Sequence, residues 1–100
     1  DWREQSYPRW MQPADIYESR CLGTNVVFAR TYEIVAQMAA RLGLKNQAHT
    51  APAATAAALT ASINESLWAE GEGYYGQFRY GRPTAAQLSP RWEALGEALA

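Results

Sequence analysis

The first ten residues hold Asp1, Trp2, Arg3 and Glu4, then Tyr7, Pro8, Arg9 and Trp10. Two carboxylates, two guanidiniums and three aromatic rings thus crowd ten positions. That mixture suits a sugar site. Aromatic faces stack on the C–H surfaces of a pyranose. The rigid donor fork of arginine reaches ring hydroxyls, and a carboxyl group can move a proton. Arg3 and Arg9 are the candidate donors, with a salt bridge to Glu4 or Asp15 as the plainer alternative. Trp2 and Trp10 are the candidate stacking platforms, against a packing role. A second aromatic run, Tyr74, Tyr75, Phe78 and Tyr80, either lines a subsite or packs.

The remaining composition narrows the chemistry. The chain has 100 residues, enough for one small domain with a modest core. Lys and Arg number 9 against 10 Asp and Glu, and no basic stripe is present, so nucleic acid is not expected as a partner. His49 is the only histidine, which argues against a multi-histidine metal site. Cys21 is the only cysteine, so no internal disulfide forms and the redox compartment stays open. No apolar run approaches the roughly 20 residues of a membrane span, so no membrane partner is expected, and no cofactor motif is present. The start at Asp1, inside an aromatic motif, and the stop at Ala100, within a helical pattern, lead us to expect an excerpt of a larger domain.

Helices must position these residues. Pro13 opens a short turn of helix, with Asp15 suited to its positive end. Thr24 is a plausible N-cap for a first long helix. Val27, Thr31, Ile34, Met38 and Leu42 recur every three or four residues along it, and Val35 and Ala39 widen the stripe. Gly43 fits its stop. After a polar connection over 44–50, a second helix begins near Thr50 to Pro52. It carries Ala56, Leu59, Ile63 and Leu67 on one face, and its alanines let two helices approach closely. Residues 74–80 are too rich in glycine and aromatics for helix and read as a short strand or hairpin arm. Ser89-Pro90 reads as an N-cap with proline at N1, opening a third helix through Trp92, Leu95 and Leu99. The fold class is all-α: a pair of antiparallel helices, with a short aromatic hairpin or loop near 74–80.

Four stretches carry a resemblance to a known family. They are Asp1-Trp2-Arg3 with Arg9-Trp10, Leu22-Gly23-Thr24-Asn25 leading to Leu42-Gly43, Ile63 to Trp68 followed by Gly73-Tyr74-Tyr75, and Leu88-Ser89-Pro90 into Trp92. The chain resembles the six-hairpin, (α/α)6-toroid glycoside hydrolases, in particular the trehalase and mannosyl-oligosaccharide-glucosidase group.

The resemblance implies that residues 1–100 form one partial domain of a toroid, whose remainder is a partner alongside a carbohydrate substrate. It also implies an inverting hydrolysis of α-linked glucosides or mannosides. One carboxylic acid protonates the glycosidic oxygen while a second carboxylate, about 6.5–9.5 Å away, activates water. By its place in the motif Asp1 is the general acid, with Glu4 as the rival, and the base lies in sequence not present here. The helix entry around Asp15, Glu18 and Asn25 then faces the cavity, where Asn25 is either a substrate contact or a local cap for orphan amides. The non-enzymatic alternatives are a carbohydrate-binding domain and a helical interaction module.

Overall fold

The computed structural model describes residues 7–44, 47–81 and 87–100. It is mostly helical with small antiparallel strand pairs. Helix α1 spans Pro13–Glu18, strand β1 Arg20–Cys21, α2 Leu22–Arg41 and α3 Gln47–Leu67. Strands β2 Trp68–Ala69, β3 Tyr74–Tyr75 and β4 Phe78–Arg79 follow, then α4 Ala94–Leu99.

The short helix opened by Pro13 is present. Asp15 Oδ2 accepts the Gln12 amide at 2.9 Å, and Ser19 Oγ donates to the Asp15 carbonyl at 2.6 Å. Those bonds satisfy terminal groups that a six-residue helix would otherwise leave orphaned.

Two expectations for α2 are corrected. Its N-cap is Cys21 rather than Thr24, because the Leu22 amide donates to the Gln77 carbonyl at 2.9 Å. A distant backbone oxygen thus replaces a capping side chain. Its packed face is also different. Leu22, Val26, Ala29, Ala36 and Ala39 are buried, whereas Ile34 is 46%, Met38 56% and Leu42 70% exposed. At 100° per residue the buried positions lie nearly opposite Ile34, Met38 and Leu42 around the axis, and of the expected stripe Ala39 at its edge is buried. The cause is the partner helix: α3 brings the small, buried Ala56 to the side of α2 that carries the buried Ala36. Small residues on both sides permit close approach and turn the bulky side chains outward.

The end of α2 matches expectation. Gly43 sits at φ 67°, its amide bonds to the Ala40 carbonyl, and the Leu44 amide bonds to the Ala39 carbonyl. Those two bonds make a Schellman stop.

Helix α3 begins at Gln47, before the expected start, and so takes in residues assigned to the polar connection. Pro52 consequently lies inside it rather than in its first turn. The missing N–H removes one bond near the open end of the helix, where least depends on it. The face expected of α3 is the buried one: Ala56, Ile63 and Leu67 are buried and Leu59 packs beside them. Leu22, Val26, Ala29, Ile63 and Leu67 form the core cluster, with Tyr75 and Leu88 against it. The start of α2 therefore meets the end of α3, which makes the pair antiparallel. The Cα radius of gyration is 15.4 Å, against about 13 Å for a compact chain of this length, so the molecule is elongated.

The aromatic run 74–80 holds the two short strands β3 and β4, where a strand or hairpin arm was expected, but these do not pair with one another. β3 pairs with β2 in the register Trp68↔Tyr75, and β4 pairs with β1 in the register Arg20↔Arg79 and Cys21↔Phe78. On its other side the segment 77–80 bonds to residues 87–91. The Gln77 amide reaches the Arg91 carbonyl at 2.7 Å, the Ser89 amide the Phe78 carbonyl at 2.7 Å, and the Tyr80 amide the Gln87 carbonyl at 3.0 Å. This corrects the third helix. Ser89-Pro90 does not open it, because ladder bonds hold 87–91 extended, and α4 starts only after Glu93.

Gly81 crosses the end of α1 so closely that a Cβ there would lie 2.1 Å from the Glu18 carbonyl oxygen. Backbone cannot swing aside as a side chain can. Gly81→Ala is therefore expected to destabilise the chain by about 1–3 kcal/mol, read from urea unfolding. An unchanged midpoint would mean that the crossing tolerates a methyl group.

Candidate functional site

The ribbon 77–80 positions the aromatic cluster. Successive strand residues alternate faces, so Phe78 and Tyr80 point the same way, and their rings stack with centroids 6.2 Å apart. The N-terminal segment lies on this pair. Tyr7 meets Phe78 at 5.5 Å, and Trp10 meets Tyr80 edge-on at 5.1 Å and 72°. Phe78 is 1% exposed and forms the floor of the cluster.

A tight turn sets the outer residues. The Met11 amide donates to the Pro8 carbonyl at 3.0 Å, which places Arg9 and Trp10 at the corner. Met11 is buried beneath it, while Trp10 remains 52% exposed. Burial pushes the Tyr7 phenol above its ordinary pKa, and the neighbouring Cys21 adds to the rise. Tyr7 therefore remains a neutral hydroxyl under ordinary conditions.

Between the turn and the ribbon lies a cavity of about 520 Å³, bordered by Arg9, Trp10, Tyr80, Gln87, Ser89 and Arg91. Its size falls in the range of small-ligand sites, about 300–1,000 Å³. Its walls supply an indole, a phenol, two guanidiniums, an amide and a hydroxyl. Ser89 is buried, and its Oγ already accepts the Arg91 amide at 3.2 Å, so it anchors the wall more than it offers a free donor. A larger groove of about 610 Å³ runs between α2 and α3. It is bordered mainly by alanines, with Glu33, Gln37, Thr60 and Asn64 beside them, and holds no aromatic ring on which a sugar could stack.

Of the residues singled out in the sequence, Arg9 and Trp10 meet at the cavity and the second aromatic run joins them through Tyr80. Asn25 does not line it. The Asn25 amide donates to the Cys21 carbonyl at 2.7 Å, one turn back at the start of α2. Asp1, Trp2, Arg3 and Glu4 lie outside the described residues. Tyr74 and Tyr75 turn to structural work: the Tyr74 hydroxyl donates to the Pro90 carbonyl at 3.1 Å, and the Tyr75 ring meets Trp68 at 4.9 Å. Gln87, Ser89 and Arg91 were not visible as site residues in the sequence, since only the long-range bonds of the ribbon bring them there.

Among the described residues no group of three His, Cys, Asp or Glu side chains could hold a metal ion, and no helix is long and apolar enough to cross a membrane. We found no protein-family model, no curated protein and no solved structure that matches the chain.

Proposed function

We propose that the chain is part of an inverting glycoside hydrolase of the (α/α)6-toroid kind, acting on α-linked glucosides or mannosides, with Asp1 as proton donor and Glu4 as its rival. One observation carries this reading. The segment that follows Asp1 seats Trp10 on Tyr80 and encloses, with Arg9 and Arg91, a cavity of sugar-binding character. The outer face of α2, with Phe28, Ile34 and Met38 about half exposed, fits the toroid half of the reading, in which further helices of the same domain cover it.

The same exposed face favours a second reading, a helical interaction module without catalysis. Sugar binding separates the two. Tryptophan fluorescence followed during titration with α-linked gluco- and manno-oligosaccharides is expected to show saturable binding. Trp10→Ala is expected to weaken it by about two- to tenfold, the worth of one aromatic contact. Saturable binding with unchanged affinity in Trp10→Ala would place the sugar elsewhere, and no binding of any oligosaccharide would favour the interaction module.

A further inference from the structure

The walls of the Trp10–Tyr80 cavity are unevenly supplied with donors and acceptors. Leu88 bridges Arg79, so Gln87 falls opposite Tyr80 and Ser89 opposite Phe78. Those four residues therefore share the face that carries the aromatic cluster. Arg91 lies two residues beyond Ser89 and borders the same cavity, and Arg9 joins it from the N-terminal turn.

The main-chain acceptors there are already engaged. The Pro8 carbonyl takes the Met11 amide at 3.0 Å, the Gln87 carbonyl the Tyr80 amide at 3.0 Å, and the Arg91 carbonyl the Gln77 amide at 2.7 Å. The Pro90 carbonyl takes the Tyr74 hydroxyl, and Ser89 Oγ takes the Arg91 amide. The charged donors are not engaged. Arg9 and Arg91 are exposed, and among the described residues neither guanidinium forms an ion pair or a hydrogen bond. No carboxylate among the described residues borders the cavity. The net charge of the chain is −1, so the two cations are a local feature and not part of a generally basic surface. Guanidinium and indole groups donate and never accept, which leaves the cavity rich in donors. A neutral sugar suits that poorly, because each of its hydroxyls brings a proton as well as lone pairs. An oxyanion brings lone pairs alone.

We propose that the Trp10–Tyr80 cavity takes an acidic sugar, its pyranose ring against the aromatic wall and its carboxylate or sulfate ester held by Arg9 and Arg91. The proposal rests on the carbohydrate reading above and narrows it to anionic glycans. The arginine forks supply paired N–H donors matched to the oxygens of either group. The Gln87 amide and the Tyr80 hydroxyl, which both donate and accept, serve the remaining ring hydroxyls.

The test is calorimetric titration of the chain with maltotriose and an α-linked mannotriose, with each of them oxidised to a terminal uronate or carrying a 6-sulfate, and with inorganic sulfate. At low salt at least one acidic trisaccharide is expected to bind about five- to tenfold more tightly than its neutral parent, and the advantage to shrink as salt rises. The larger gain identifies the substituent. Arg9→Gln and Arg91→Gln are each expected to weaken the acidic ligand more than the neutral one, and the double variant to bring the ratio of the two affinities close to one. Neither side chain holds another described group, so urea midpoints should match that of the parent chain; the comparison of probes itself needs no variant. Equal affinities for neutral and acidic probes, or a ratio that survives in the double variant, would overturn the anion site and leave the sugar reading standing. Sulfate bound with no trisaccharide bound, or no probe bound at all, would end both.

Discussion

Phe78→Ala is expected to cost the fold about 3–5 kcal/mol, a large share of the 5–15 kcal/mol or so that holds a small domain together. Phe78 is the largest of the fully buried side chains. Its ring meets both Tyr7 and Tyr80, and Tyr80 in turn meets Trp10. The backbone of residue 78 keeps its bonds in the variant, since the Ser89 amide still finds the carbonyl. What is lost is the ring, and neither β1 nor the 87–91 segment can collapse into its place without breaking the ladder. Oligosaccharide affinity should fall with stability, because both walls of the cavity stand on this floor. Urea unfolding followed by near-ultraviolet circular dichroism gives the first quantity and titration the second. Phe78→Leu, which retains most of the apolar volume, should lose less than half as much stability. A loss below about 1 kcal/mol in Phe78→Ala would show that Tyr7 and Tyr80 hold one another without it.

What could be foreseen from the sequence was local. The Ile63 and Leu67 face of α3, the Asp15 turn and the Gly43 stop each follow from a few neighbouring residues and a fixed helical period. The packed face of α2 did not, because periodicity favours the bulkier stripe. The choice was made by alanines on α3, some twenty residues on. Ser89-Pro90 is a sound local start for a helix, but it is overridden by three backbone bonds to the ribbon. The site divides in the same way. Arg9 and Trp10 stand out by their crowding near the N-terminus, and the 74–80 run by its aromatic content. Their meeting at Tyr80 and the arrival of Arg91 depend on strand register between distant segments. A period-two signal in strands of two residues is too short to announce that register.

The catalytic half of the proposal turns on a single proton. In a longer chain that supplies the second carboxylate, as the proposal requires, Asp1→Asn should leave folding and oligosaccharide affinity intact and lower turnover of oligosaccharides by about a hundred- to ten-thousandfold. Asparagine matches aspartic acid in shape yet has no proton to give the departing oxygen, so the loss falls on kcat. The leaving group supplies the sharper test. A nitrophenolate departs without protonation, so an aryl α-glycoside should be cleaved by Asp1→Asn at close to the wild-type rate while the oligosaccharide is not. Loss of a nucleophile, a base or a binding contact would slow both substrates alike. If Glu4→Gln produced that split and Asp1→Asn did not, the proton donor would be Glu4, three residues further along the same segment. If neither produced it, the aromatic cavity would remain a sugar site, but the N-terminal carboxylates would have no part in breaking the bond.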